Sequence, residues 1–205
     1  MHFSKLIMVG VCAICLTGCE GEPLIELQPT SSSPAPAAAS PPSSPVTSVP
    51  TANIDSNWQD VDRVKQEVEK LERCGFEGNI ETGLALTHPR CVEIVGGSAK
   101  HRQAVQQVVE VGRQNNARLE TLNFPDAPTF VESDQHHFVV IAMHGVIDSD
   151  LGRIDIKNYL VGCKEKAQTQ WRFANAEFLK QVPIKRVFPD FPDGVKFPKT
   201  SVRPL

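Results

Sequence analysis

Histidine beside a carboxylate is the commonest way for a protein to assemble a general base, so the histidines of this chain are the first place to look for catalysis. They are His2, His88, His101, His136, His137 and His144. His136 and His137 are neighbours in a run with strand character, so they point to opposite faces and do not chelate one metal together. His144 shares a face with His136 but stands about 26 Å further along at strand rise, and Asp148, the carboxylate on its own face, is about 13 Å away. No metal ligand and no catalytic residue is therefore assigned. Asp148-Ser149-Asp150 offers the first half of a calcium loop, but Leu151-Gly152-Arg153 supplies none of the remaining ligands, and a solvated hairpin turn is the expectation. Gly96-Gly97-Ser98 could hold an anion at a helix start, although glycine serving as a helix stop is the commoner reason for such a run. There is no Gly-x-Ser-x-Gly elbow, phosphate loop or dinucleotide fingerprint, and no cofactor is implied.

The sulfur chemistry says more. Met1–Lys5 carries one positive charge, Leu6–Cys15 is apolar apart from glycine, and Leu16-Thr17-Gly18-Cys19 follows. A charged start, a short apolar stretch and small residues before a cut mark residues 1–18 as a secretory signal rather than a span, which needs about 20 apolar residues. The last four residues resemble the bacterial lipobox. That resemblance implies that Cys19 is lipidated and becomes the mature N-terminus; a plain secretory signal that happens to contain a cysteine is the alternative. At about 0.8 kcal/mol per buried methylene, two or three acyl chains hold a protein on a bilayer almost irreversibly. Glu20 is not the aspartate associated with inner-membrane retention, which slightly favours the outer membrane.

With Cys12 and Cys15 removed and Cys19 lipidated, Cys74, Cys91 and Cys163 remain in an oxidising compartment. Cys74 closes the first helix and Cys91 opens the next, across a stretch rich in turn residues. A Cys74–Cys91 disulfide is predicted, closing a loop of roughly 17 residues worth about 3 kcal/mol in the chain-entropy model. Cys74–Cys163 and Cys91–Cys163 are competing pairings, because sequence does not fix connectivity.

Residues 19–55 are expected to be a disordered tether. Proline, serine and alanine dominate, as in Ser40-Pro41-Pro42-Ser43-Ser44-Pro45, and such a segment buries too little apolar surface to offset the entropy of ordering. Residues 20–55 would span about 110 Å fully extended and about 35 Å as a flexible coil, enough to stand a domain off a membrane. The net charge of −3 includes Lys5, so loss of residues 1–18 leaves −4 (−3 − 1). That mildly acidic balance has no clustered Lys and Arg to serve as a footprint for nucleic acid.

The elements that would position any site follow. Ser56 or Asn57 can cap a helix from Trp58, in which Val61, Val64, Val68 and Leu71 form one stripe, with Glu67, Glu69, Lys70 and Glu72 assigned to the solvated side. Gly75 is expected to stop it. Gly75 to Gly83 reads as a turn-rich passage. Pro89 suits the start of a second helix ended by Gly96-Gly97, and Ser98 can cap a third, whose stripe is Val105, Val108, Val109 and Gly112, closed by Asn115-Asn116. Arg118–Phe124 and Thr129–Glu132 read as short strands, followed by His137–Ile147, Ile154–Cys163 and Gln168–Phe173. His137 to Met143 is apolar at both parities, so both faces are covered: one by the helices, the other by the C-terminal tail, a second copy or a partner. Helices followed by strands indicate an α+β fold with segregated layers. The domain is placed at 56–190, and 191–205, with its alternating phenylalanine and proline, is read as an extended tail lying over the surface or, alternatively, a docking motif.

The order of helix, Thr87-His88-Pro89, Val92, Gly96-Gly97, helix, strands, Tyr159-Leu160, Trp171-x-Phe173 and Phe188-Pro189 resembles the nuclear transport factor two-like, cystatin-like cone superfamily across about residues 58–190. Two departures are Lys164–Gln168, which lacks an Asp-Gly turn, and Cys163, which stands where serine is common. The resemblance implies N-terminal helices packed on a strongly bent antiparallel sheet, cone-like, with a pocket at the open end; it implies no reaction. The expectation is a membrane-tethered, non-catalytic binding or interaction module of the bacterial cell envelope. Its partners would be the membrane, through the lipid anchor, and a protein or second copy through the outer sheet face. The alternative is an envelope enzyme of isomerase, dehydratase or hydrolase type acting on a small apolar molecule in the cone. A carboxylate converging with His or Tyr in the pocket would favour the enzyme.

Overall fold

A computed structural model describes residues 58–205. The signal, the lipobox cysteine Cys19, the tether and the capping pair Ser56 and Asn57 lie outside the described residues.

The chain enters through α1 (Trp58–Glu77). Val64, Val68 and Leu71 are buried in one row as their spacing requires, and Cys74 extends it. The helix does not stop at Gly75. It runs on because Cys74 still faces the core, and it ends at Gly78, whose φ of +75° takes the left-handed position while Asn79 N–H donates to Cys74 O at 2.9 Å. The passage read as turns contains a further helix, α2 (Ile80–Leu86), capped by Asn79, whose Oδ1 accepts from Thr82 N–H at 3.2 Å. Its Gly83 answers a close approach: a Cβ there would lie 3.0 Å from Cys74 Sγ.

α3 (Pro89–Ile94) begins on its proline, and α4 (Ser98–Gln114) follows Gly96 and Gly97. Gly97 occupies the cap position of α4 and Ser98 is its first helical residue, so Ser98 does not cap. His101, Val105 and Val109 form the buried row of α4, and Asn115 closes it through Nδ2–H donation to Val111 O at 2.7 Å.

Six strands follow, all antiparallel: β1 (Arg118–Asn123), β2 (Thr129–Glu132), β3 (His136–Asp148), β4 (Ile154–Glu165), β5 (Arg172–Asn175) and β6 (Ser201–Pro204). The fold is thus α+β. β3 and β4 form a long ladder running from His136 opposite Glu165 to Ile147 opposite Ile154. β2 and β1 share the free edge of β3, and β5 and β6 share that of β4. The expected strand Gln168–Phe173 is displaced to Arg172–Asn175, because Trp171 is spent filling the core and has no exposed surface. Between β5 and β6 lie the short helices α5 (Ala176–Gln181) and α6 (Ile184–Val187).

The period of two divides the sheet into two buried faces. Val139, Ile141, Met143, Leu160 and Phe173 meet Val64, Val68, Leu71 and Cys74 of α1, with Leu86 and Trp171 completing this inner core. Phe138, Val140, Tyr159, Val161 and Cys163 form the other face, covered by Phe178, Val187, Phe188 and Phe191. The second layer is therefore the chain's own C-terminal segment. Phe197 stacks on Tyr159 at 5.3 Å and on Phe191 at 6.0 Å. Packing does not break at residue 190: Phe191 is buried, and β6 completes the edge of β4.

No disulfide joins Cys74 to Cys91. Cys74 belongs to the inner core, its Sγ–H donating to Leu71 O at 2.8 Å, whereas Cys91 and Cys163 belong to the outer one. The stretch read as turns between them is taken up by α2, and the two thiols are committed to different cores.

Candidate functional site

α1 and α4 leave a crevice between themselves and the end of the sheet. Leu71, Glu72, Gly75 and Phe76 line it from α1, Val108 and Gly112 from α4, Asn158 and Leu160 from β4, and Phe173 to Asn175 from β5, with a cavity volume of about 50 Å³. Thr87, Cys91 and Phe178 complete it. The two glycines open the space between the helices that larger side chains would fill.

Among the described residues, Glu72 is its one charged side chain. Burial pushes its carboxyl up to about 7, so that at neutral pH the acid and the carboxylate are both populated. Glu72 as a whole is half-buried, and desolvation of its carboxyl is the cause of the shift. The polar groups around it are largely engaged: Thr87 Oγ1–H donates to Gly83 O at 2.8 Å, Asn158 Oδ1 accepts from Tyr159 N–H at 2.9 Å, and Asn175 Oδ1 caps α5 by accepting from Phe178 N–H at 2.8 Å. Among the described residues, no histidine, tyrosine, lysine, arginine or second carboxylate lines the crevice. A lone acid of this kind can hold or release a proton or pair with a cation, but it has no relay partner.

Sequence reasoning placed Glu72 on the solvated side with Glu67. Both are turned inward: the Glu67 side chain is 14% exposed and its Oε1 accepts from Arg63 Nε at 3.2 Å. The signal was present in the ladder Val68, Glu72, Phe76, where an acid sits between two apolar residues at helical spacing.

The structure redistributes the residues singled out by type. His144 does not meet Asp148; its Nε2 contacts Asp155 across the β3–β4 ladder, and Asp148 instead accepts from Arg118 at 2.7 Å. His137 pairs with Glu132 at 3.1 Å. His136 Nδ1–H donates to Asp190 Oδ2 at 2.7 Å, and Ser133 Oγ–H donates to the same oxygen. Serine, histidine and aspartate thus converge, but the carboxylate stands between the other two, so the histidine is not positioned to take the serine proton and the group is not a nucleophilic triad. It fastens the tail to the β2–β3 hairpin. Burial would raise the Asp190 carboxyl, and the hydrogen bonds from Ser133 and His136 outweigh it, holding the acid below its usual range.

His88 is pushed down to about 4 by burial first, then by Arg90, His136 and Arg172. His101 is fully buried, its pKa lowered by the same desolvation, with no hydrogen-bond partner on either ring nitrogen. Asp150 accepts from Asn116 Nδ2 at 2.6 Å and Ser149 Oγ–H donates to Gly152 O at 2.9 Å, which makes the acidic triplet a hairpin turn. The N–H groups of Gly96 and Gly97 are spent on Glu93 O and Val92 O in ending α3. Among the described residues, no three His, Cys, Asp or Glu side chains gather to hold a metal ion, and no helix is long and apolar enough to cross a membrane. No family model, no curated protein and no solved structure matches this chain.

Proposed function

We propose that the protein is a non-catalytic binding or interaction module of the bacterial cell envelope, anchored through lipid on Cys19 and held off the bilayer by the tether of residues 19–55. The observation that carries the non-catalytic part is the crevice: among the described residues it holds one carboxyl with no histidine, tyrosine, lysine, arginine or second carboxylate beside it, in a space far below the 300–1,000 Å³ of ordinary substrate pockets. The cone-like reading of the sheet goes with it, supported by helices that precede the strands and line one face. The half of the outer face formed by Phe138, Val140 and Val161 is occupied by the tail. A protein partner or second copy would therefore meet the other half, where His144, Asp155 and Lys157 retain exposure.

The anchor is tested by fractionation. Wild type should partition with outer membranes and incorporate labelled fatty acid, and Cys19→Ser should leave the membrane fraction or accumulate uncleaved. A processed Cys19→Ser protein that stays membrane-bound would sink the reading.

A second reading, an envelope enzyme acting on a small apolar molecule, is favoured by one observation, that the Glu72 acid titrates near neutral pH. Turnover lost in Glu72→Gln with the fold intact would establish it in place of the first.

A further inference from the structure

We propose that the crevice under α1 binds a small alkylammonium ion, received by the Glu72 carboxylate against the phenylalanines of its wall; this rests on the non-catalytic binding reading above. Charge is the first argument. An anion would meet an uncompensated carboxylate there, since no basic side chain among the described residues lines the crevice, and a purely apolar ligand would leave a buried acid unpaired. An alkylammonium satisfies the acid and carries its own apolar surface. The second argument is the wall: Phe76, Phe173 and Phe178 line it, and ring faces attract a cation within about 6 Å, which is how methylated ammonium groups are recognised. Thr87 Oγ1 has already given its proton to Gly83 O, which leaves its lone pairs to accept an N–H. Size is the third. A cavity of about 50 Å³ matches a few water-sized volumes of about 10–15 Å³ each, room for an ammonium head and its methyl groups and little more.

Binding requires the ionised acid, so it must expel a proton near neutral pH. The titratable groups nearest Glu72 are Cys74 on α1, which feels its charge, and Cys91 on α3, which lines the crevice, while α4, β4, β5 and α5 present only apolar or amide side chains to it. With an acid titrating at about 7, raising the pH from 6 to 8 should strengthen binding about tenfold.

The test is calorimetric titration of the full chain in neutral detergent with methylammonium and tetramethylammonium chloride, using sodium chloride and tert-butanol as controls. Saturable binding of either ammonium ion at pH 8 is expected. It should weaken about tenfold at pH 6, with proton release, and fall at least tenfold in Glu72→Gln. Glu72→Asp, which keeps the charge, should retain measurable pH-dependent binding and serves if Glu72→Gln fails to fold. No saturable heat at pH 8, equal binding by Glu72→Gln, or an equal response to tert-butanol would overturn the site while leaving the module reading intact. Recovery of the ion unchanged supports the proposal; its Glu72-dependent conversion to product would instead overturn the non-catalytic reading on which it rests.

Discussion

The two faces of the sheet are covered in opposite ways. The inner face is met mainly by a long amphipathic helix, α1, whose backbone hydrogen bonds are internal, so its side chains alone have to match the sheet. The outer face is met by two one- or two-turn helices and an irregular tail that contributes rings rather than regular backbone: Phe188 lies 5.8 Å from Phe138, Phe191 5.1 Å from it, and Phe197 stacks beyond. A helix keeps its register through its own ladder; an irregular cover has to be fastened. The fasteners are visible in Asp190 on Ser133 and His136, and in Lys185 Nζ on Asp193 at 3.0 Å. Order on the inner side is cooperative, whereas on the outer side it depends on a few polar clips.

The largest expected effect breaks the inner side. Trp171 is wholly buried between α1 and the sheet, with Lys164 Nζ 4.9 Å from its ring centre. Trp171→Ala should cost about 3–5 kcal/mol and shift the whole urea transition, because α1 and the sheet unfold together. A transition that splits into two would refute the cooperative picture.

Next comes pH. Glu72 keeps its proton in the folded state up to about 7 but gives it up near 4.5 when unfolded, so its contribution is present at low pH and lost as pH rises between those values. His88 stays neutral when folded down to about 4 but takes a proton near 6.5 when unfolded, so its contribution is lost as pH falls, and His101 has the same sign. Between pH 4.5 and 6.5 the slopes of Glu72 and His88 oppose and nearly cancel, so wild-type stability should rise with pH only by the share of His101. Glu72→Gln removes the opposing slope, leaving the His88 rise of about 2–3 kcal/mol across that window at about 1.36 kcal/mol per unit, with the share of His101 added to it. An unchanged profile in denaturant titrations would show that the acid is not buried as described.

A smaller effect sharpens the comparison. Asp190→Asn should cost about 1–2 kcal/mol, the worth of charge-assisted hydrogen bonds at a partly exposed site. Amide exchange should quicken in β6 and around Phe191, while the amides of α1 keep their protection. Equal loosening of both sides would remove the distinction drawn here. Smallest is Gly75→Ala. Gly75 is helical and a Cβ there meets nothing within 4 Å, so the change should stabilise by about 0.5–1 kcal/mol in thermal melts.

The elements were legible in the sequence wherever an apolar period ran long enough. The row Val64, Val68, Leu71 announced α1, and the double parity of His137 to Met143 announced a strand covered on both sides. What was not legible depended on partners remote in sequence. Gly83 looks like punctuation until Cys74 Sγ is seen to pack against it. Asp155 lies eleven residues from His144 and becomes its partner only through the β3–β4 register. That the tail, and not another molecule, covers Phe138 and Val140 follows from where Phe188 and Phe191 land, which no local pattern encodes. Glu72 was misplaced because a single acid at the border of a stripe reads as its solvated edge.

The separate burial of the cysteines bears on how fast they could oxidise. Burial, then Glu72 and Glu77, pushes the Cys74 thiol up to about 11, and burial, then Asp190 and Glu165, pushes Cys163 up to about 12. Because only the thiolate is nucleophilic, roughly one molecule in 10⁴ at Cys74 and one in 10⁵ at Cys163 is reactive at pH 7 at any instant. An oxidising compartment would therefore find these sulfurs kinetically silent, and a domain can keep unbridged cysteines there for as long as it stays folded.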